Sequence, residues 1–297
     1  MSDSIAYDVY SGMSDAFAAP IGWDYAQWRS DLLLACGLTA LAVESALLDI
    51  GHTQLKVLRD PRQLKVHLGA SSFGILGCSY SGRAAEVLDG LAAVRAAGLK
   101  AALVSNNRAV NPEIVLPDLR QPRALQHIAF TVVIQRLLHS ECPPKIANLD
   151  DDLPSFLETV FHAEAIPIFV TANGGFQCRA LLAYWLEFLH RPGFAAQFPD
   201  WTHDLLWAAT RPPRMPLAFL LEEPLVPLSN DRFANVLTWV REVGYLHLVL
   251  PSQSLESGGQ HVGFLLACAT MYHGLATRLG VDIETELQFH TWGSEIL

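Results

Sequence analysis

Short apolar runs alternate with longer stretches of helical periodicity along the chain. Asp31–Cys36 (DLLLAC) is a strand-length apolar run. Gly37 follows, and Thr39–Leu48 is an Ala/Leu-rich segment that predicts a helix. Thr53–Leu58 and Phe73–Cys78 (FGILGC) predict a second and a third strand. A Ser/Gly turn and a helix over Arg83–Ala97 come next, then a fourth strand over Leu99–Ser105 and a long helix over Gln121–Leu138. Apolar strands between helices imply parallel sheets covered on both faces.

The segment Cys142–Pro154 (CPPKIANLDDDLP) breaks the pattern with Pro and Asp and reads as a linker, with a helix starting at Leu153. The alternation then restarts. Ile166–Thr171, Leu217–Leu221 and Tyr245–Leu250 predict strands. Phe176–Leu189, Asp231–Val243 and Val262–Leu279 predict helices. The expected class is therefore α/β, with two doubly wound domains over residues 1–148 and 149–297. Right-handed crossovers place ligand sites at the carboxyl ends of the strands.

Composition narrows the classes. Of 297 residues, 51% are hydrophobic and 17% charged, which supplies a large core and excludes a disordered chain. The formal net charge of -10, with no Lys/Arg block, argues against a nucleic-acid partner. No apolar run is long enough to span a bilayer, and the first ten residues carry Asp3 and Asp8 rather than a basic leader. Five cysteines form no CxxC pair and read as free thiols of a reducing compartment, so the expected location is the cytoplasm. The histidines are scattered and no nucleotide-binding glycine fingerprint occurs, so neither a metal nor another cofactor is expected.

Three groups of residues carry chemistry. Cys78-Ser79-Tyr80-Ser81-Gly82-Arg83-Ala84-Ala85-Glu86 lies between a strand and a helix, where hydroxyls and free backbone N–H groups meet the positive end of the helix. Ser79 and Ser81 can serve there as helix caps or as ligands of an anion. Pro122-Arg123 opens a helix, Pro being favoured in a first turn. Glu187 stands late in an apolar helix and His203 follows sixteen positions on, in Phe198-Pro199-Asp200-Trp201-Thr202-His203. A carboxyl in apolar surroundings can act as a general base, and imidazole titrates near neutrality. Each can equally sit at a helix end and bond locally.

These residues resemble the bifunctional phosphoglucose/phosphomannose isomerases, proteins with two tandem sugar-isomerase (SIS) domains. That family carries S-Y-S-G-N-T-E-E where this chain has Ser79-Tyr80-Ser81-Gly82-Arg83-Ala84-Ala85-Glu86. Arg83 replaces the family's Asn, and Ala84 replaces the Thr whose hydroxyl helps bind phosphate. The family's G-M-G-G-S turn corresponds to Ala35-Cys36-Gly37-Leu38-Thr39, with Thr39 standing for the Ser. Its P-R-x-A segment corresponds to Pro122-Arg123. Its N-E-N-A-K and F-P-E-L-N-H-N-E segments correspond to the regions of Glu187 and His203, at the same separation, with Pro192 and Pro199 in register. The family's C-terminal Lys has no counterpart, since Lys145 is the last lysine of the chain; His290 is the nearest residue by position.

The resemblance implies an aldose–ketose isomerase that works through a cis-enediol. Glu187 would be the base, Arg123 would stabilise the enediolate and His203 would open the sugar ring. Thr39, Ser79, Ser81 and Arg83 would bind the substrate, a sugar or sugar phosphate. It also implies a homodimer with shared active sites. The departures at Ala84 and at the C-terminus leave a second expectation open: an inactive SIS-type protein that senses a sugar phosphate. A specialised isomerase of an unusual sugar is a third.

Overall fold

A computed structural model describes residues 30–52, 55–64, 74–116, 123–138, 140, 142–145, 147–171, 175–197, 216–225, 232–251, 255–256 and 258–283. The chain divides into two compact units, each holding one parallel sheet flanked by helices. The first comprises Met1–Ala147, Glu256–Leu266 and Glu284–Leu297; the second comprises Asn148–Leu255 and Ala267–Ile283.

In the first unit the strands are β1 (Ser30–Ala35), β2 (Lys56–Leu58), β3 (Gly74–Cys78), β4 (Ala101–Ser105) and β5 (Ile114–Val115). Their spatial order is β2-β1-β3-β4-β5, and all neighbours run parallel. Helices α1 (Gly37–Asp49), α2 (Ala85–Ala96) and α3 (Ala129–Leu137) accompany it, together with a 3-10 helix over Arg123–Ile128. β3 is buried along its whole length, which is why it reads as an uninterrupted apolar run. Leu32, Leu34, Ile75 and Leu103 from the sheet pack with Val87, Leu91 and Val94 of α2 into one core.

The second unit begins with α4 (Leu153–His162) and contains β6 (Ile166–Thr171), α5 (Phe176–Leu189), β7 (Phe194–Gln197), β8 (Leu217–Glu222), α6 (Arg232–Val243) and β9 (Leu246–Leu250). Its sheet has the order β7-β6-β8-β9, again all parallel. Ile168, Val170, Phe219 and Leu221 pack against Val236 and Val240 of α6. The last helix among the described residues, α7 (Gln260–Leu279), contributes its residues up to Leu266 to the first unit and those from Ala267 to the second.

Most of the expected elements are present, and β6 and α5 have the expected bounds. The differences have local causes. The expected helix Gln121–Leu138 is a 3-10 turn followed by α3, a common form of helix start. α4 extends the helix start expected at Leu153, with Pro154 in its first turn and Leu153, Leu157 and Val160 forming the buried stripe. β5 is only two residues long. β7 is a mostly exposed edge strand, so it lacks the apolar run of its neighbours.

Candidate functional site

In the first unit the strand order reverses between β1 and β3: β2 lies on one side of β1, and β4 and β5 lie beyond β3. A crevice forms at the carboxyl ends of strands at such a reversal, because the two following loops leave in opposite directions. Ala35 is in register with Cys78, and Cys78 with Val104. The turns after β1, β3 and β4 are therefore neighbours. Thr39 lies in the first turn of α1 and is 9% exposed. Ser79, Ser81 and Arg83 lie in the turn after β3, with Ser79 buried, Ser81 half-buried and Arg83 exposed. Four of the expected site residues thus come to one end of one sheet.

The turn after β3 is held from several sides. The Ser79 N–H donates to the Val104 carbonyl (3.1 Å) and the Gly82 N–H to the Ser79 carbonyl (3.1 Å). Gly82 has φ +63, and a Cβ there would lie 2.7 Å from Val110 Cγ2 and 2.8 Å from Ser105 Oγ, so this position requires glycine. The Ser105 hydroxyl donates to the Tyr80 carbonyl (3.0 Å), and the Asn107 amide donates to the Ser81 carbonyl (2.9 Å). The Tyr80 hydroxyl donates to Gln126 Oε1 and accepts from Asn106 Nδ2 (3.0 Å). Gln126 belongs to the same 3-10 helix that Arg123 opens, so this hydrogen bond ties that helix to the serine turn. Where the Arg123 side chain lies is outside the described residues.

The capping and ligand roles of the two serines coexist. Ser79 Oγ accepts from the Ala84 N–H (3.4 Å) and Ser81 Oγ from the Arg83 N–H (3.2 Å). Each hydroxyl still has its own proton to donate. α2 begins at Ala85 with no side-chain cap on Ala84, so the amino-terminal turn keeps donors for an anion. Arg83 adds positive charge beside this turn, while Glu86, in the first turn of α2, adds negative charge.

Glu187 belongs to the second unit, in the last turn of α5. It stands about 16 Å along the helix axis from Phe176, at 1.5 Å per residue. Tyr184, Trp185, Phe188 and Leu189 around it are buried, whereas Glu187 itself still reaches solvent. Desolvation by this apolar surface raises its carboxyl above the ordinary value, opposed by the charge of nearby His190, and solvent contact limits the rise. The Trp185 indole N–H donates to the Pro192 carbonyl (3.0 Å) and fixes the chain after the helix. His203 and His290 lie outside the described residues.

One acid was missed by reading strands as apolar runs. Glu222 ends β8 and is 4% exposed. β6 and β8 are neighbours at the strand-order reversal of the second sheet, and the Thr171 hydroxyl, at the end of β6, donates to Glu222 Oε2. Cys178, in the first turn of α5, is buried beside them. Burial pushes its thiol far up, the Glu222 charge adds to this, and a hydrogen bond with Thr171 opposes it. The signal in the sequence is a carboxylate at the end of Leu-Ala-Phe-Leu-Leu, where an apolar strand reaches the carboxyl edge of its sheet.

Among the described residues, no cluster of three or more His, Cys, Asp or Glu could hold a metal ion, and no helix is long and apolar enough to cross a membrane.

No family model matches the chain, and no curated protein matches it in sequence. Solved structures do match over nearly the whole chain. The C-terminal domain of glucosamine-fructose-6-phosphate aminotransferase from Francisella tularensis is 12% identical with a TM-score of 0.52, covering 96% of this chain and 98% of that one. A Clostridium difficile 630 protein provisionally designated a phosphosugar isomerase is 11% identical with a TM-score of 0.58, covering 98% and 97%. Glucosamine-6-phosphate deaminase from Thermotoga maritima is 10% identical with a TM-score of 0.53, covering 95% and 96%. At these identities the likeness is one of fold.

Proposed function

We propose that the chain is a divergent sugar-isomerase-fold protein with two tandem SIS-type domains, over residues 1–148 and 149–297. It binds a sugar phosphate and interconverts its aldose and ketose forms. The observation that carries this reading is the strand-order reversal of the first unit, with Thr39, Ser79, Ser81 and the amino end of α2 at the carboxyl end of its strands. Hydroxyl donors and free helix N–H groups suit a phosphate, and Arg83 beside them offers a charged contact in place of the hydroxyl that Ala84 lacks. The names of the structural neighbours agree, since they concern phosphorylated sugars.

In this reading Glu187 removes the proton from C2 of the open-chain aldose, giving the cis-enediol, and returns it to C1 to form the ketose. Desolvation raises this carboxyl above its ordinary value, which makes its carboxylate a stronger base. Arg123 supplies a permanent positive charge for the enediolate oxygen. His203 of the partner subunit opens the ring by moving a proton between ring oxygen and hydroxyl, in a cytoplasmic homodimer. The chemistry needs no metal or other cofactor.

Calorimetry and turnover with glucose 6-phosphate and fructose 6-phosphate test this. Ser79→Ala should weaken binding about tenfold, the loss of one charge-assisted hydrogen bond. Glu187→Gln should bind as the wild type does and lose turnover. Full turnover by Glu187→Gln would remove Glu187 from the mechanism.

A second reading has its own support. The chain has no lysine after Lys145 and keeps few glycines in Ala35-Cys36-Gly37-Leu38-Thr39, which suits a sensor that binds a sugar phosphate without converting it. Such a protein would show binding by calorimetry with no turnover in any variant.

A further inference from the structure

Asp49 is the last residue of α1 and its side chain is fully buried. A carboxylate at a helix carboxyl end faces the negative end of that helix's own dipole, so its position calls for an external partner. The partner is the amino end of α7, more than two hundred residues later in the chain and within the same compact unit. Asp49 Oδ1 accepts from the His261 N–H (2.9 Å) and from His261 Nδ1 (2.9 Å), and Oδ2 accepts from the Val262 N–H (2.9 Å). The Asp49 carbonyl accepts from the Gly258 N–H (2.8 Å). A side chain on one helix thus caps another, satisfying donors that a helix start leaves open. A strap through Pro143 and Lys145 closes over the joint. The Lys145 N–H donates to the Gly259 carbonyl (2.9 Å), and a Cβ at Gly263 would lie 1.7 Å from the Lys145 carbonyl oxygen.

The other end of α1 bears Thr39. That end has no side-chain cap and no acid in its first turn. The ion pair of Glu44 with Arg59, midway along α1, is partly exposed, and such pairs contribute little. Besides its packing against α3, the 3-10 helix, β1 and β2, α1 is bonded through Asp49 to the amino end of α7.

We infer that Asp49 and His261 are positioning residues for the first-unit crevice. By clasping the amino end of α7 they fix α1 lengthwise, and with it the turn that bears Thr39 at the same end of the sheet as Ser79. The functional half of this inference rests on the sugar-phosphate reading; the mechanical half does not.

Amide hydrogen exchange on the full-length chain tests the mechanical half. In Asp49→Asn the carboxylate is lost at constant size, and the amides of His261 and Val262 should exchange about tenfold faster, the effect of losing a helix cap. The Ala40 amide, which closes the first turn of α1 on the Cys36 carbonyl, should accelerate with them, while the amides of β3 keep their wild-type rates. Acceleration at His261 and Val262 with Ala40 unchanged overturns the inference, as does equal acceleration of β3, which would mean global loosening. Should Asp49→Asn fail to fold, His261→Gln keeps the backbone donors and should produce a smaller effect in the same two places, under the same criteria. The functional half is read with fructose 6-phosphate. Weaker binding by the variants supports positioning, and unchanged binding overturns it. If the wild type binds no sugar phosphate, the proposed function fails while the exchange result still decides the clasp.

Discussion

Replacing Gly263 by alanine should be among the more damaging single-methyl additions available in this chain. The new Cβ would sit 1.7 Å from the Lys145 carbonyl oxygen and 2.8 Å from its carbonyl carbon. The obstacle is backbone, so no rotamer change relieves it, and the nearer separation would have to double to reach ordinary contact. Moving the strap away strains the Lys145–Gly259 hydrogen bond, and moving the helix strains the bonds from Gly258, His261 and Val262 to Asp49. Overpacking costs about 1–3 kcal/mol, and the strained cap and backbone bonds add about 1 kcal/mol each, for a total of about 3–5 kcal/mol. At about 2–4 °C per kcal/mol for chains approaching this size, the melting temperature should fall by about 10 °C. Gly274→Ala, further along the same helix, is the internal control. Nothing lies within 4 Å of a Cβ there, so only the helix-propensity gain of about 0.5–1 kcal/mol remains and the melting temperature should rise slightly. Differential scanning calorimetry of the two variants reads both numbers. A Gly263→Ala protein that melts with the wild type would refute the close approach of helix and strap.

Other expectations follow from single groups. The raised pKa of Glu187 means that the folded state holds its proton more tightly than the unfolded chain does. Its stabilising contribution is complete below the ordinary value of 4.5 and is lost as pH rises through the folded value, so the wild type should lose melting temperature relative to Glu187→Gln as pH rises above 4.5. Parallel curves would contradict the apolar setting of this carboxyl. Thiol labelling of the native protein should modify half-buried Cys36 and Cys142 well before Cys78, Cys178 and Cys268, whose thiols burial holds protonated; uniform labelling would place the buried three at the surface. Thr171→Val removes the hydroxyl donor to buried Glu222 and should cost about 1–3 kcal/mol in chemical denaturation, whereas no loss would mean that this bond is not made.

The fold was legible where burial writes itself into composition. β3 and β6 are apolar runs because both faces of a central parallel strand are covered, and α5 is bounded by Gly175 and His190, both left-handed. Edge strands such as β7, being exposed, carry no such mark. The serine turn was legible because a strand, a hydroxyl cluster and a helix follow one another locally, and topology then set the turn that bears Thr39 at the same end of the sheet. What the sequence does not display are partnerships across long separations. Asp49 looks like a surface acid until α7 arrives from the end of the chain, and Glu222 looks like a loop acid until Thr171 meets it across the sheet. The segment through Pro143 and Lys145 reads as a linker from its prolines, yet it is packed tightly enough to require glycine at residue 263.

The central claim, proton transfer between C1 and C2 of a bound sugar phosphate, is tested most directly by solvent exchange. Fructose 6-phosphate and glucose 6-phosphate are incubated with the protein in deuterium oxide and followed by proton NMR. The account predicts loss of the C2 proton signal of glucose 6-phosphate, and deuterium entering C1 of fructose 6-phosphate, with wild type and neither with Glu187→Gln. Binding of both sugars by the wild type without any exchange would contradict it.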